Sequence, residues 1–389
     1  MRFSARLRWD LKPNPLSERL AARRAAGGEV LDLTESNPTH AGFEYPAEEI
    51  LGALGDARAM RYEPSAAGSM EARRAVSAYY AERGSTVEPE RILLTASTSE
   101  AYAYLLKLLA DPGDEILVPQ PSYPLLEFLA GMEQVCVRPY PLVDEHGWRV
   151  DLDALERAIG ARTRAIVVVN PNNPTGSYLK REELARLDAL CAARGVPLIS
   201  DEVFADYALS PDPARAGSVA GLRGALMFSL SGLSKIAALP QMKLGWIAVS
   251  GSDDECRQVM ERLELIADTY LSVGTPVQIA LPRLLAVSGR VQAQILERLR
   301  ANLTCLRTRA AESPCRVLNV EGGWYAILEM PRIRGEEDWV LELLDRDSVL
   351  VQPGFFYDFP REAFLVVSLL TEPAVFSDGM ERLLRRSQS

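Results

Sequence analysis

Seven short apolar runs, rich in β-branched residues, punctuate the chain: Arg91–Thr95, Glu115–Val118, Val135–Arg138, Arg164–Val169, Val196–Ser200, Ala225–Leu230 and Leu244–Val249. Between several of them the apolar positions take a helical spacing, over Ser99–Ala110, Asp151–Ile159 and Glu182–Ala193. A strand that is apolar at every position has both faces buried, and strands alternating with helices are joined by crossovers. The pattern therefore predicts a mostly parallel sheet covered by helices on both sides. After Ser252 it changes to long helices, Asp253–Leu271 and Val291–Ala311, followed by strand-like Trp324–Leu328 and Phe364–Leu369. The expectation is an α/β protein of two domains. A large domain over residues 46–290 would hold a seven-stranded, mostly parallel sheet between helices, and residues 1–45 and 291–389 would form a smaller α/β domain. No flexible Gly/Ser linker separates them, so they should pack together.

Composition narrows the function classes. Of 389 residues 48% are apolar and 25% charged, the balance of a soluble globular protein. A net charge of -10 argues against nucleic acid or an anionic membrane as partner, while leaving room for a local basic pocket. No apolar run is long enough to span a bilayer, and the Arg-rich first twenty residues lack the apolar stretch of a secretory signal. Five cysteines are scattered without CxxC spacing, and the only imidazoles are His40 and His146, both in turn-like segments. Neither a metal site nor a disulfide framework follows from that set, and a cytoplasmic protein with reduced thiols is expected. With so little histidine, a proton shuttle should be a lysine, a carboxylate or a cofactor.

Ligands of open α/β sheets bind at the carboxyl ends of the strands, and four strand ends here carry unusual polar groups. Ala96-Ser97-Thr98-Ser99-Glu100 leads from a strand into a helix, where free N–H groups and the positive helix end suit a phosphate, although such residues are also ordinary N-caps. Asn170-Pro171-Asn172-Asn173-Pro174-Thr175-Gly176 puts three side-chain amides at the next such end. Asp201 follows the apolar run Val196–Ser200, and a carboxylate so close to a buried strand needs a partner, for which a cationic ring nitrogen would serve. Lys235 ends Ser231-Gly232-Leu233-Ser234-Lys235, where a low-dielectric cleft would turn a lysine into a nucleophile. An anchored phosphate, a ring nitrogen kept protonated by an acid, and an aldehyde held by a lysine are what pyridoxal 5'-phosphate (PLP) requires.

In these motifs the chain resembles the fold-type-I PLP enzymes, in their class I/II aminotransferase branch, over nearly its whole length. NPNNPTG, SDEVF and SGLSK…LPQMKLGW occur in that family's order, with 28 residues from Asn173 to Asp201 and 34 from Asp201 to Lys235. Upstream, Tyr62–Gly68 and Pro121–Pro124 resemble two further family segments. The resemblance implies that Lys235 is the Schiff-base lysine and proton shuttle. It further implies that Asp201 pairs with the pyridinium, Asn173 bonds the ring hydroxyl and Tyr123 stacks on the ring. Thr98, Ser99 and Ser234 would contact the phosphate, with Lys243 at the position of a phosphate-gripping arginine. Tyr62 would reach the phosphate of a neighbouring subunit, which implies a homodimer with shared active sites.

Four departures from the family pattern stand out. Phe204 replaces a tyrosine, Gly232 a serine and Lys243 an arginine. Val366 replaces the arginine that grips the substrate carboxylate, with Arg361 the nearest alternative cation in sequence. The function implied is amino transfer by a ping-pong route, from an amino acid or amine to a 2-oxo acid. A PLP lyase or oxidase acting on an amino-acid-like metabolite is the second enzyme reading, and a non-enzymatic PLP-binding regulator the third.

Overall fold

The structure, a computed structural model, describes residues 3–7, 9–145 and 147–388. His146, expected in a turn, lies outside the described residues. The main sheet has the strand order Ile92–Thr95, Gly245–Ser250, Met227–Gly232, Leu198–Asp201, Thr163–Val169, Glu115–Gln120, Cys136–Asp144, Trp148–Val150. The five strands from Met227–Gly232 through Cys136–Asp144 pair in parallel, whereas Gly245–Ser250 runs antiparallel to both its neighbours. The seven expected strands are all present. An eighth, Trp148–Val150, extends the edge as a hairpin arm paired antiparallel with Leu142–Asp144.

Side chains that alternate along each strand build a separate core on each face. Ile116, Val118, Ala165, Val167, Phe228, Leu230, Ile247 and Val249 pack with helices Thr98–Leu109 and Asp253–Asp268. Leu117, Ile166, Val168, Leu198 and Met227 point the other way, onto Leu187 and Cys191 of helix Arg181–Arg194. Trp246, Ala248, Ile92 and Leu94 pack instead against Ala72 and Val76. A second, antiparallel sheet has the order Arg316–Val317, Tyr325–Glu329, Phe364–Ser368, Gln352–Pro353. Near it Leu31–Asp32 pairs with Val349–Leu350, and Ser368 N–H donates to the Leu33 carbonyl at 2.7 Å.

One helix departs from expectation. The pattern marks Val291–Ala311, but the helix runs Thr275–Ala310, straight through Pro282. Proline removes one backbone bond and crowds the preceding turn. The buried positions Val277, Ala280, Leu281, Leu284, Ser288, Val291 and Ile295 nevertheless keep a helical spacing across it, so tertiary packing outweighs the local penalty. Among the described residues no helix is long and apolar enough to cross a membrane, and no group of side chains could hold a metal ion.

Candidate active site

The carboxyl ends of the parallel strands open into a cavity of about 420 Å³, within the range of small-molecule sites. Register brings the motifs together: Val169 pairs with Asp201, and Asp201 with Leu230, so the segments that follow leave the sheet side by side. Thr98, Ser99, Tyr123, Asn173, Asp201, Ser234, Lys235 and Lys243 all line this cavity. Tyr62 does not. It is 79% exposed, in a surface groove with Pro64, Leu271 and Val273.

Helix Thr98–Leu109 starts at Ser97, whose hydroxyl accepts from Glu100 N–H at 3.2 Å. Thr98 and Ser99 in this first turn line the cavity, and first-turn N–H groups have no intrahelical partner. One turn further on, Tyr102 donates to Asp201 Oδ2 at 3.2 Å. The Val203 N–H donates to Oδ1, also at 3.2 Å. The sequence reading missed Tyr102, and the available signal was its i+4 spacing from Thr98, which puts both on one helix face. It also missed Ser36, Ser122, Tyr325, Gln352 and Tyr357, which line the cavity from loops and from the second sheet.

Burial dominates the electrostatics. It pushes the Asp201 carboxyl up to about 6, against the opposing hydrogen bonds from Val203 and Tyr102 and the attraction of Lys235. It pulls the Lys235 ammonium down to about 8, against the pull of Asp201. Lys235 Nζ lies 4.7 Å from the Trp324 ring centre and 5.5 Å from that of Phe204. Neighbouring Glu202 alternates to the other side of the chain. Its carboxylate accepts from Ser200 Oγ and Val219 N–H, both at 3.0 Å, and from Ser218. Of the two adjacent acids only Asp201 faces the cavity. Lys243 is exposed at the rim.

Each sequence departure has a definite place. Phe204 lies edge-on to Trp324 at 5.2 Å and brings no hydroxyl to the cavity. Gly232 faces Gly245 across the strand pair, and a Cβ there would lie 2.7 Å from Gly245 Cα, so a serine would have to push the two strands apart. Val366 is fully buried in strand Phe364–Ser368. Arg361 does not replace the missing arginine: it pairs with Glu329 at 2.6 Å, lies over the Phe364 ring and is not among the cavity residues.

The sequence profile of aminotransferases of class I and II matches residues 28–376. The chain belongs to that family. It is 27% identical to the tyrosine aminotransferase of Bos taurus, over 94% of this chain and 87% of that one. It is also 27% identical to the S-alkyl-thiohydroximate lyase SUR1 of Arabidopsis thaliana, over 86% of this chain and 74% of that one. The solved alanine aminotransferase from Pyrococcus furiosus superposes with a TM-score of 0.91 over the full length of both chains, at 24% identity. This aminotransferase therefore has the fold-type-I architecture, and family membership implies PLP. The cavity suits that group. Asn173 Oδ1 and Ser122 Oγ are buried without a hydrogen-bond partner, a costly state unless a ligand completes them. Asp201, whose charged form burial disfavours, would gain from a cationic ring nitrogen beside it.

Proposed function

We propose that Lys235 carries PLP and moves the proton in a ping-pong amino transfer from an amino acid or amine to a 2-oxo acid. The observation that carries the reading is the pair Lys235 and Asp201: a lysine with its charge weakened by burial, and a buried acid short of a cation, in one cavity. Bound PLP supplies an electron sink for the charge left when the substrate Cα loses its proton. Asp201, steadied by Tyr102 and the Val203 N–H, keeps the ring nitrogen protonated. Asn173 bonds the ring hydroxyl and Tyr123 covers the ring face, excluding water. The N–H groups of Thr98 and Ser99, with Ser234 and the Lys243 ammonium, hold the phosphate. Once the substrate amine has displaced it from the bound group, the freed Lys235 Nζ would serve as the base that takes the proton from substrate Cα and holds it for return. Tyr62, far out on the surface of one chain, serves the phosphate of a second copy, so the active form is a homodimer with shared sites. Five free thiols support a cytoplasmic location.

Borohydride reduction of the PLP-loaded protein followed by peptide mapping is expected to put the pyridoxyl group on Lys235. Recovery on Lys180 or Lys243 overturns the assignment. The similarity to a lyase keeps a second outcome in view. Without an acceptor, one equivalent of 2-oxo acid per site and no ammonia marks amino transfer, whereas continuous ammonia release marks a lyase.

A further inference from the structure

Among the described residues three charged side chains line the cavity, Asp201, Lys235 and Lys243. Its lining cations among the described residues, Lys235 and Lys243, both follow the strand Met227–Gly232. Another part of the wall is built from Ser36, Tyr325, Gln352 and Tyr357, which bring hydroxyls and an amide and no charge. Sheet register explains how two of these arrive. Across strand Phe364–Ser368, Gln352 pairs with Val366 on one side and Tyr325 with Ser368 on the other. Directly paired residues, and residues two apart along a strand, share a face. Tyr325, Gln352, Val366 and Ser368 therefore lie on the same face. Val366 is fully covered, and Ser368 Oγ donates to the Glu35 carbonyl at 2.5 Å. Tyr325 and Gln352 remain as the polar groups this face offers.

Gln352 is also oriented. The buried Tyr357 hydroxyl donates to Gln352 Oε1. With Oε1 engaged, the amide plane is set, and Nε2 keeps its two N–H donors without a hydrogen-bond partner among the described residues. A donor amide satisfies any oxygen acceptor. A carboxylate enclosed there would lack the counter-cation that repays its desolvation, whereas an amide or alcohol needs none.

We propose that Gln352, aimed by Tyr357, donates to the oxygen group beside the amine-bearing carbon of the substrate, and that this wall accepts an uncharged oxygen as readily as a carboxylate. The substrate class then extends to amino-acid amides and amino alcohols. The assignment rests on the aminotransferase reading, because it takes the amine to be presented to Lys235.

The test uses PLP-loaded protein and two amine-free probes that cannot react, 3-phenylpropionate and 3-phenylpropionamide, with binding followed by quenching of tryptophan fluorescence. The two dissociation constants are expected to agree within about tenfold, the smallest advantage a charged hydrogen bond to a cation would give the acid. Gln352→Leu should weaken both probes by about tenfold, and Tyr357→Phe both by a smaller factor. Gln352→Arg, which keeps a polar side chain at the position, should make the acid bind more than tenfold tighter than the amide. A wild-type preference for the acid beyond tenfold, or no change in Gln352→Leu, overturns the proposal. If no donor yields 2-oxo acid, the aminotransferase reading fails separately, while the probe constants still decide the role of Gln352.

Discussion

Lys235 and Asp201 are both driven by burial toward their uncharged forms, and the pH dependence of the PLP-free chain follows from the sign of each shift. The lysine is lowered from 10.5 to about 8, so its ammonium is penalised in the folded state. The unfolded chain binds more protons between those values, and stability gains from this group as pH rises from about 8 toward 10.5. The aspartate is raised from 3.8 to about 6, so its contribution is full below 3.8 and lost as pH rises through 6. At neutral pH both charges oppose folding. PLP-free Lys235→Met is therefore expected to unfold at higher urea than wild type at pH 7, with the gap narrowing above pH 8. A gap that stays constant up to pH 10 would show that Lys235 carries no buried charge. At the same scale, Val366→Arg is a poor way to restore a carboxylate grip, because that side chain is sealed beside Ile327 and Gln352.

At the level of elements, the site depends on how closely turns can approach one another. Gly245 is paired on one side with Thr95 and on the other with Gly232. A Cβ on Gly245 would lie 3.0 Å from the Ser231 carbonyl and 3.2 Å from Ser97 C. The helix start at Ser97–Ser99 and the turn at Ser234–Lys235 thus converge across a strip of backbone with no room for side chains. Gly232→Ser is expected to cost about 1–3 kcal/mol as an overpacked site and to lower PLP occupancy, read from urea midpoints and cofactor absorbance. A serine tolerated without loss on both counts would mean that the strand pair yields easily. Gly176 plays a similar part in the NPNNPTG loop. With φ 68° its missing Cβ would sit 2.4 Å from the Gly322 carbonyl, which holds the loop against the segment before Trp324.

Across the whole molecule, the 36-residue helix Thr275–Ala310 ties the two sheets together. Its first half shares a core with Trp246 and Ile92 of the main sheet, and in its second half Asn302 donates to the Leu369 and Thr371 carbonyls that follow the small-sheet strand Phe364–Ser368. That change of partner supports the boundary near residue 290 that we propose between the domains. Lys180 adds a second tie, pairing at 2.9 Å with Asp212 and at 2.6 Å with Glu321. Tyr62 belongs to the scale beyond one chain. If a second copy supplies it, mixing Tyr62→Ala and Lys235→Ala chains forms hybrids with one intact site each. Equal mixing should restore roughly a quarter of wild-type turnover at limiting PLP by statistical pairing of a two-fold dimer. No gain over the separate variants would mean that Tyr62 does not serve a neighbour's site.

Local pattern and motif order determined much of this. Seven of the eight strands of the main sheet were legible, the central ones because a strand buried on both faces must be apolar throughout. The residues at their carboxyl ends, Thr98, Ser99, Asn173, Asp201, Ser234 and Lys235, were legible because short polar turns after such strands stand out, whereas Lys243 was marked only by the family resemblance. Packing decided the rest. Whether Asp201 or Glu202 faced the cavity depended on the pleat and on the donors around each acid. The helix through Pro282 depended on buried contacts along its whole length, which no local propensity encodes. Tyr102 became a partner of Asp201 only once the helix was docked on the sheet. The uncharged wall of Gln352, Tyr357 and Tyr325 has no motif at all. It exists because antiparallel register brings residues distant in sequence onto one face, and register is set by the pairing of whole strands rather than by any residue alone.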